Sequence, residues 1–385
     1  MANRILLPHS DQFDEMNANL KKIAYALGTQ IDTSTWVGIQ QAVRAGVAPN
    51  LFPIGTQFMV SHTVYGDHLY DVVAHNYFKS ARDENAHTMT LMCHDAVDSI
   101  QYDAPEAFTC TTLVPGMLYS FNVSETIGEW HAGTYYFAPK AGGGPYGEIY
   151  TLAINGDTNG NIWDNTISAY DKNRQVVDSF YIMVGGAAEA EGYDLDSAIS
   201  IGGFSNHPDR VVHGSNNYKE SAIRQFLNSS AEVGKVWSPQ TQYDMPPSWA
   251  TTLEGFMKGL DKEFLDVVGK VVVPCSANNV FESPDSTVTK GAKYTVEDKF
   301  YFASTMELFG TNAGSVADGS VCFPYYHEAT NADRIKYRGD VAKYLATRSA
   351  NAQNADVVRV VSPTGEAAIY HPNMATGCVP VCTIV

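Results

Sequence analysis

The chain begins with apolar residues at the spacing of a helix seam. Large apolar side chains recur at intervals of 3, 4, 3 and 4 residues, at Phe13, Met16, Leu20, Ile23 and Leu27. This is the a/d pattern of a coiled coil, although two and a half heptads fall short of the three or four that establish one. Ser10 is suited to cap the start of the helix and Gly28 its end. We predict a short N-terminal helix in residues 1–34, and two interpretations stay open: packing on its own chain, or self-association.

Residues 35–107 combine one more helix with short strands. The polar cluster at 33–35 can cap a helix that places Trp36, Ile39, Gln40 and Val43 on one face and ends at Gly46. Apolar runs then predict strands at residues 57–60, 70–75 and 89–93. We expect this α+β segment to pack with the C-terminal domain.

Residues 108–200 have an almost entirely β pattern. Short apolar runs cover residues 118–123, 133–137, 149–154 and 177–184, and glycine or asparagine turns separate them. The turn at 157–161 hints at a calcium loop, but its glycine stands fourth where an EF-hand needs it sixth. We interpret it as a hairpin turn in a small β-sandwich or jelly-roll unit.

Residues 201–385 contain both helical and strand-like apolar patterns. Helices are predicted at 221–227 and 253–265, a strand at 270–274, and two or three short strands at the end of the chain. Strands early and late in the chain with helices between them predict an α+β fold whose ends pair together.

The closing segment, residues 344–385, differs from the rest. Apolar and glycine-containing stretches at 358–361 and 377–384 flank a run at 366–376 that mixes charged, aromatic, imidazole, amide and thioether side chains. This run has neither a two-residue nor a 3.6-residue apolar period, so its side chains cannot all face a core. We interpret it as a contact surface held between two buried strands, which favours binding over catalysis.

Composition narrows the list of partners. Apolar residues make up 44% of the 385 residues, charged residues 17%, and the net charge is −17. An acidic surface repels phosphate backbones and anionic lipids, so we expect no nucleic acid and no membrane insertion. The N-terminus has no secretory signal and no run approaches the ~20 apolar residues of a membrane span. We expect synthesis in a cytoplasm.

The sequence lacks the motifs of common enzymes and metal sites. His94-Asp95 and Asp67-His68 are adjacent pairs, which point to opposite faces of a strand and form no dyad. The six cysteines include no Cys-x-x-Cys pair, and acidic residues such as Asp318 have no regular spacing. We therefore expect no enzyme activity, no cofactor and no metal. Trp249 and residues 325–327 are either core residues or part of a contact face.

Three ordered blocks of residues resemble a known domain. The first is Asn216-Asn217-Tyr218 followed by Ser221, Ile223-Arg224 and Leu227-Asn228, and the second is Asp298-Lys299-Phe300 with Ser304 and Glu307. The third contains Tyr344, Arg348-Ser349, Val358-Arg359, Gly365, Gly377 and Pro380. Together they span residues 216–380 and resemble a bacterial and phage domain with a C-type-lectin-like fold, most closely the variable proteins of diversity-generating retroelements.

The resemblance implies a scaffold with replaceable contact residues. In that family, mutagenic reverse transcription rewrites adenines in a 3′-terminal repeat, so that asparagine codons become many residue types. The implied framework positions are Arg348, Ser349, Arg359, Gly365, Gly377 and Pro380. The implied variable, ligand-binding positions are Asp356, Val357, Val360, Ser362, Glu366, Ala368, Ile369, Tyr370, His371, Asn373, Met374 and Thr376. Leu345-Ala346 and Thr347 depart from the family, which has an aromatic pair and a leucine there.

The resulting expectation is an α+β protein in four parts: 1–34, a helix; 35–107, α+β; 108–200, mainly β; and 201–385, a C-type-lectin-like ligand-binding domain. It implies a phage-encoded receptor-binding or adhesin-type protein, located on a virion beside other virion proteins. Its partner would be a bacterial cell-surface protein or glycan. Self-association would give a homo-oligomer, with a trimer as the natural expectation. Two alternatives stay open: a virion structural or decoration protein without hypervariation, and a formylglycine-generating-enzyme-like oxidase that uses Cys378 and Cys382.

Overall fold

The computed structural model describes residues 31–110, 112–123, 131–140, 147–155, 166–173, 175–201, 213–240, 243–278, 292–353 and 356–385. Within them the protein is mixed α+β, with many strands and few, short helices. The predicted N-terminal helix and the 157–161 turn lie outside the described residues. No helix in the described parts has the length and apolar character that crossing a membrane requires.

Short helices connect the strands. The described α-helices are α1 (Trp36–Arg44), α2 (Ala48–Leu51), α3 (Gly185–Ala190), α4 (Ala222–Leu227), α5 (Lys262–Val267), α6 (Thr305–Phe309) and α7 (Asn331–Arg334). The helix predicted after residues 33–35 is confirmed as α1, and the Thr35 hydroxyl caps it by accepting a hydrogen bond from the Gly38 N–H at 3.1 Å. The helix predicted at 221–227 is confirmed as α4, with Ser221 as its N-cap.

The single helix predicted over 253–265 is wrong. The chain instead forms a 3₁₀ turn at Phe256–Lys258, and α5 starts anew after Asp261, whose side chain accepts from the Phe264 N–H at 2.9 Å. The glycines explain the break. A Cβ at Gly255 would lie 2.2 Å from the Ser229 carbonyl oxygen, and one at Gly259 would lie 2.1 Å from the His62 ring. Tertiary contacts therefore override the helical pattern.

Strands dominate the described chain. They are β1 (Gln57–His62), β2 (Gly66–His75), β3 (Met89–Cys93), β4 (Asp98–Gln101), β5 (Ala107–Cys110), β6 (Tyr119–Val123), β7 (Gly133–Phe137), β8 (Tyr150–Asn155), β9 (Thr166–Tyr170), β10 (Val176–Tyr181), β11 (Met183–Val184), β12 (Ile199–Ser200), β13 (Val271–Ala277), β14 (Ala292–Asp298), β15 (Phe300–Tyr301), β16 (Tyr337–Arg338), β17 (Val341–Ala342), β18 (Leu345–Ala350), β19 (Val358–Val361), β20 (Ala367–Tyr370), β21 (Ala375–Cys378) and β22 (Val381–Ile384).

The first sheet joins early and late parts of the sequence. Its order is β1-β2-β3-β22-β15, and every pairing in it is antiparallel. β3 and β22 are buried along their whole length, as expected of central strands with both faces covered. The register pairs Met92 with Val381. The strands predicted early and late in the chain thus pair with each other.

A second sheet has the order β14-β13-β18-β19-β20. β21 runs parallel to β18 and antiparallel to β4, so the N-terminal segment contributes to this sheet as well. β16 and β17 form a separate small hairpin.

Two further four-stranded sheets face each other in the middle of the sequence. Their orders are β10-β9-β8-β5 and β11-β7-β6-β12, and one apolar cluster contains residues of both. Phe137 of one sheet stacks on Phe180 of the other with ring centroids 5.6 Å apart. This is the arrangement of a β-sandwich. The strand predicted at 177–184 is divided between the two sheets at the buried residue Ile182.

The chain segments that precede and follow the sandwich in the sequence are hydrogen-bonded to each other. The Asp103 carboxylate accepts from the Ser215 N–H at 2.8 Å and from the Ala222 N–H at 3.2 Å. One hydrophobic core extends from Ile39 in α1 to Ile384 in β22 and thus includes residues on both sides of the sandwich in the sequence. Full burial of each large apolar side chain in such a core stabilises the fold by roughly 1.5–3 kcal/mol.

Candidate functional site

Two of the motif blocks meet through an ion pair between a half-buried arginine and a buried aspartate. Arg224 of α4 donates from Nε and Nη2 to the two oxygens of Asp298, each at 2.8 Å. Asn228 accepts from the Lys299 N–H at 2.9 Å and donates to the Phe300 carbonyl at 2.7 Å. The residue types of these blocks are therefore explained by the contacts that fix α4 against β14 and β15.

The second and third blocks meet through another ion pair. Arg348 and Glu307 make two hydrogen bonds of 2.6 Å, and both side chains are fully buried. Arg348 also donates to the carbonyls of Pro274 and Phe302, while Glu307 completes a capping box with Ser304 at the start of α6. Burial by itself lowers the pKa of Arg348, but the Glu307 carboxylate raises it well above its usual value. The pair anchors the middle of β18, the first strand of the closing segment.

The first block also contacts the closing segment directly. Asn216 is fully buried and donates from Nδ2 to the Val357 carbonyl at 3.3 Å. Ser349, next to Arg348, accepts from the Thr305 N–H at 3.0 Å. Separate polar contacts thus join the three blocks to one another and to the start of the segment 356–376.

A tight hairpin joins β19 to β20. The Ser362 hydroxyl accepts from the Thr364 N–H at 3.2 Å and from the Glu366 N–H at 3.1 Å. Gly365 has φ +79°, and a Cβ there would lie 1.8 Å from the Asn331 carbonyl oxygen. Only glycine fits this position, both for its backbone conformation and for its space.

Eight of the twelve implied ligand-binding positions reach the surface. Glu366 and Ile369 are exposed, and six are half-buried: Asp356, Ala368, Tyr370, His371, Asn373 and Met374. They lie on β20, at the ends of β19 and β20, and in the turn that leads to β21. We call these eight residues the display surface.

Four of the twelve positions do not reach the surface. Val357, Val360, Ser362 and Thr376 are each 9% exposed or less. The expectation that they contact a ligand does not fit this structure, for three reasons. Val357 and Val360 face the interior, Ser362 is occupied by the hairpin turn, and Thr376 pairs with Ile100 of β4.

The run from Glu366 to Thr376 has more regular structure than the sequence indicated. The side chains of β20 alternate between the core and solvent. Ala368 and Tyr370 pack against the main core, whereas Ile369 between them is 45% exposed. Tyr370 also stacks on Tyr344 at a centroid distance of 4.9 Å. Ile369 pairs across the strands with Arg359, an expected framework residue that is itself half-buried. The exposed face of this hairpin thus carries Arg359 as well.

The two cysteines of the oxidase alternative lie in different sheets. The sequence pattern of residues 377–384 predicts one strand, but Val379 and Pro380 separate β21 from β22. Proline has no N–H to donate to a ladder, so the strand breaks there. Cys378 and Cys382 are free and buried, and burial raises the pKa of each thiol well above its usual value. These are properties of inert framework thiols.

The candidate aromatic residues serve mainly in packing. Trp249 is buried and donates from its indole to the Gln101 carbonyl at 2.9 Å, and Tyr326 is buried in the main core.

The carboxylate of Asp318 is buried, and it lies 3.4 Å from the Arg348 guanidinium. A cation at Asp318 would therefore meet a positive charge.

The structure brings together side chains that sequence reasoning had not combined. His94 Nδ1 lies 2.8 Å from the Asp71 carboxylate on β2, whereas the neighbouring Asp95 accepts from the Tyr337 N–H. Asp71 is buried and also accepts from Gln57 at 2.8 Å, so its partners satisfy a buried charge. Strand register brings these residues together, and a single sequence does not reveal register.

The family comparison covers the part of the chain that contains the three blocks. A family model described as a domain of unknown function, DUF6273, matches residues 196–385. No curated protein and no solved structure matches the chain. The matched range starts near the end of the β-sandwich and therefore omits β1, β2 and β3, which complete the first sheet.

Proposed function

We propose that this is a phage-encoded receptor-binding or adhesin-type protein that presents the display surface on a C-type-lectin-like scaffold. Its ligand would be a protein or glycan on a bacterial cell surface. The oligomer expected from the N-terminal helix would multiply a modest affinity per site by avidity.

The separation of the display surface from the stabilising contacts carries this proposal. The Arg224–Asp298 and Arg348–Glu307 pairs and the β3–β22 pairing involve none of the eight surface side chains. Some of the eight do make contacts within the fold: Ala368 and Tyr370 pack against the main core, and Glu366 accepts from the Thr364 hydroxyl at 3.3 Å. Side chains that do not hold the fold can be replaced without unfolding it. This is the physical requirement for a surface whose residues change from copy to copy.

The chemistry of the display surface suits recognition. Ile369 and Tyr370 supply apolar and aromatic area, whereas Glu366, His371 and Asn373 supply hydrogen-bonding groups. A rigid hairpin limits the conformational entropy lost on binding, so more of the contact energy becomes affinity. The acidic net charge of −17 favours ligands other than polyanions.

Binding of the labelled full-length chain to a panel of gut bacterial cells tests the proposal. We expect saturable binding to at least one strain and its loss in the triple variant Glu366→Ala, Ile369→Ala, Met374→Ala. The matched control is Met59→Ala, because Met59 is a 56% exposed apolar residue on the distant strand β1. Binding that persists in the triple variant, or that the control abolishes equally, contradicts the proposal.

A further inference from the structure

Three metal-binding side chains converge at one end of the display surface. His213 lies just before the first motif block, Asp356 just before β19 and His371 just after β20. Because Val358 pairs with Tyr370, the register places the residues that flank this pair side by side. One ligand atom from each of the three residues lies within 4.8 Å of the other two.

The two imidazole rings are in direct contact. Their centroids are 3.9 Å apart and their planes differ by 12°. His371 Nδ1 lies 3.0 Å from the Asp356 carbonyl oxygen and 3.7 Å from its carboxylate. The two side chains nearer the surface, Asp356 and His371, are 25% and 23% exposed, so one side of the cluster is open to solvent.

His213 is the buried member of the cluster. It is 6% exposed, and among the described residues its Nδ1 has no hydrogen-bond partner. Burial and, to a smaller extent, the neighbouring His371 together lower the pKa of His213 to about 3, so the ring is neutral at physiological pH. A neutral imidazole with a free lone pair is the form that binds metal ions.

The backbone next to His213 is fixed by packing. Gly214 has φ +83°, and a Cβ there would lie 2.4 Å from the Ala104 carbonyl oxygen. His213 is therefore held from one side, while the unpartnered nitrogen is left inside the protein. An unpaired buried polar group destabilises the folded state, and a ligand at that nitrogen would offset this cost.

We propose that His213, Asp356 and His371 bind a divalent transition-metal ion of the zinc class. Two imidazoles and one carboxylate form a ligand set that suits such ions, whereas calcium and magnesium prefer oxygen ligands alone. The sequence spacing indicated no metal here, because the three residues belong to separate parts of the chain. This inference goes beyond the proposed function and does not depend on it.

Binding requires a small rearrangement. Bond lengths of about 2.0–2.1 Å hold ligand atoms roughly 3.3 Å apart in a tetrahedral site, so the three atoms would approach each other by up to about 1.5 Å. The rings would also tilt out of their stack. Three protein ligands leave a fourth position for water or for an external group at the display surface.

Titration of the chelator-treated full chain with Co²⁺, followed by visible absorption, and with Zn²⁺, followed by calorimetry, tests the site. We expect one ion per chain. We also expect His371→Ala and Asp356→Asn to weaken binding at least about tenfold each, by analogy with the 10–100-fold loss on altering metal-site partners. Both residues are partly exposed, so these variants are expected to fold, and circular dichroism checks this. His94→Ala, which removes a more exposed histidine that lies outside the cluster, should leave the affinity unchanged.

The site is ruled out if no ion binds, or if ions bind with unchanged affinity in both variants. The latter result would show adventitious binding at other histidines. Cell binding is not a readout here, so failure of this site leaves the adhesin proposal standing, and failure of the adhesin proposal leaves this site standing.

Discussion

Arg348 and Glu307 form a two-pronged ion pair from which solvent is fully excluded. A buried pair of this kind contributes little net stability relative to an apolar substitute, but removing one partner leaves an uncompensated charge in the interior. The pair connects β18 to the start of α6, and β18 lies next to β19 in the sheet that carries the display surface. The geometry of that surface therefore depends in part on this pair.

Arg348→Ala should lower the free energy of unfolding by about 3–5 kcal/mol, because Glu307 would be left buried and unpaired. Urea denaturation followed by circular dichroism measures the change. Arg338→Ala is the matched control, since Arg338 pairs with Asp98 at 2.7 Å but is 52% exposed. Its loss should cost only about 0–1 kcal/mol. Equal effects of the two substitutions would show that burial of the Arg348 pair is not decisive.

Gly365→Ala should destabilise the protein more than Gly339→Ala does. Both glycines have positive φ, but a Cβ at Gly339 meets nothing within 4 Å, whereas one at Gly365 overlaps the Asn331 carbonyl. The Gly339 variant should therefore show only the conformational cost of about 1–2 kcal/mol. Comparison of their urea midpoints separates the clash from the backbone strain, and similar midpoints would contradict the close approach at Gly365.

Cys378 and Cys382 should resist alkylation in the native protein. Both are buried and their thiol pKa values are raised, so few thiolates form at neutral pH. Iodoacetamide labelling followed by mass spectrometry should modify the half-buried Cys322 first, and the other two only after denaturation. Rapid native labelling of Cys378 and Cys382 would instead favour the oxidase alternative.

His62 should make stability fall as the pH drops below about 6.5. Its Nε2 lies 2.9 Å from the Phe256 carbonyl and its Nδ1 accepts from the Val64 N–H at 3.1 Å, so the folded state holds the neutral ring. Burial lowers the folded-state pKa of His62 below 6.5, so the unfolded chain takes up the proton more readily. The neutral ring's contribution is complete above pH 6.5 and is lost progressively below it, at up to about 1.4 kcal/mol per pH unit.

Urea midpoints of the wild type and of His62→Gln at pH 7.5, 6.5 and 5.5 check this expectation. Glutamine can keep one donor and one acceptor but does not titrate in this range, so the variant should lose less stability between pH 6.5 and 5.5. Parallel pH profiles would show that His62 does not titrate on unfolding.

Apolar patterns were enough to predict where many strands lie, but not which strands pair. The runs at 57–60, 70–75 and 89–93 coincide with β1, β2 and β3, because each is long enough to show its apolar character. β3 pairs with its sequence neighbour β2 on one edge and with the distant β22 on the other. The second pairing depends on the whole fold, so the local sequence does not reveal it. The helix over 253–265 failed for the same reason, since contacts of Gly255 and Gly259 decide the backbone there.

The sequence pattern indicated which run reaches the surface but not the detailed structure of that run. The run from Glu366 to Thr376 does supply most of the display surface. However, β20 has only four residues, so the alternation of Ala368, Ile369 and Tyr370 is too short to stand out in the sequence. His213 was missed entirely, because nothing in its local sequence indicates that Asp356 and His371 lie beside it.

Separation of scaffold and display surface is the central claim, and one comparison of two libraries tests it most directly. The first library randomises Glu366, Ile369, His371 and Met374, and the second randomises the buried positions Val357, Val360, Ser362 and Thr376. Resistance to a protease, measured for every member by sequencing, reports the folded fraction. We predict that most members of the first library stay folded and most of the second do not. Equal tolerance in the two libraries, or greater tolerance at the buried positions, would contradict the account.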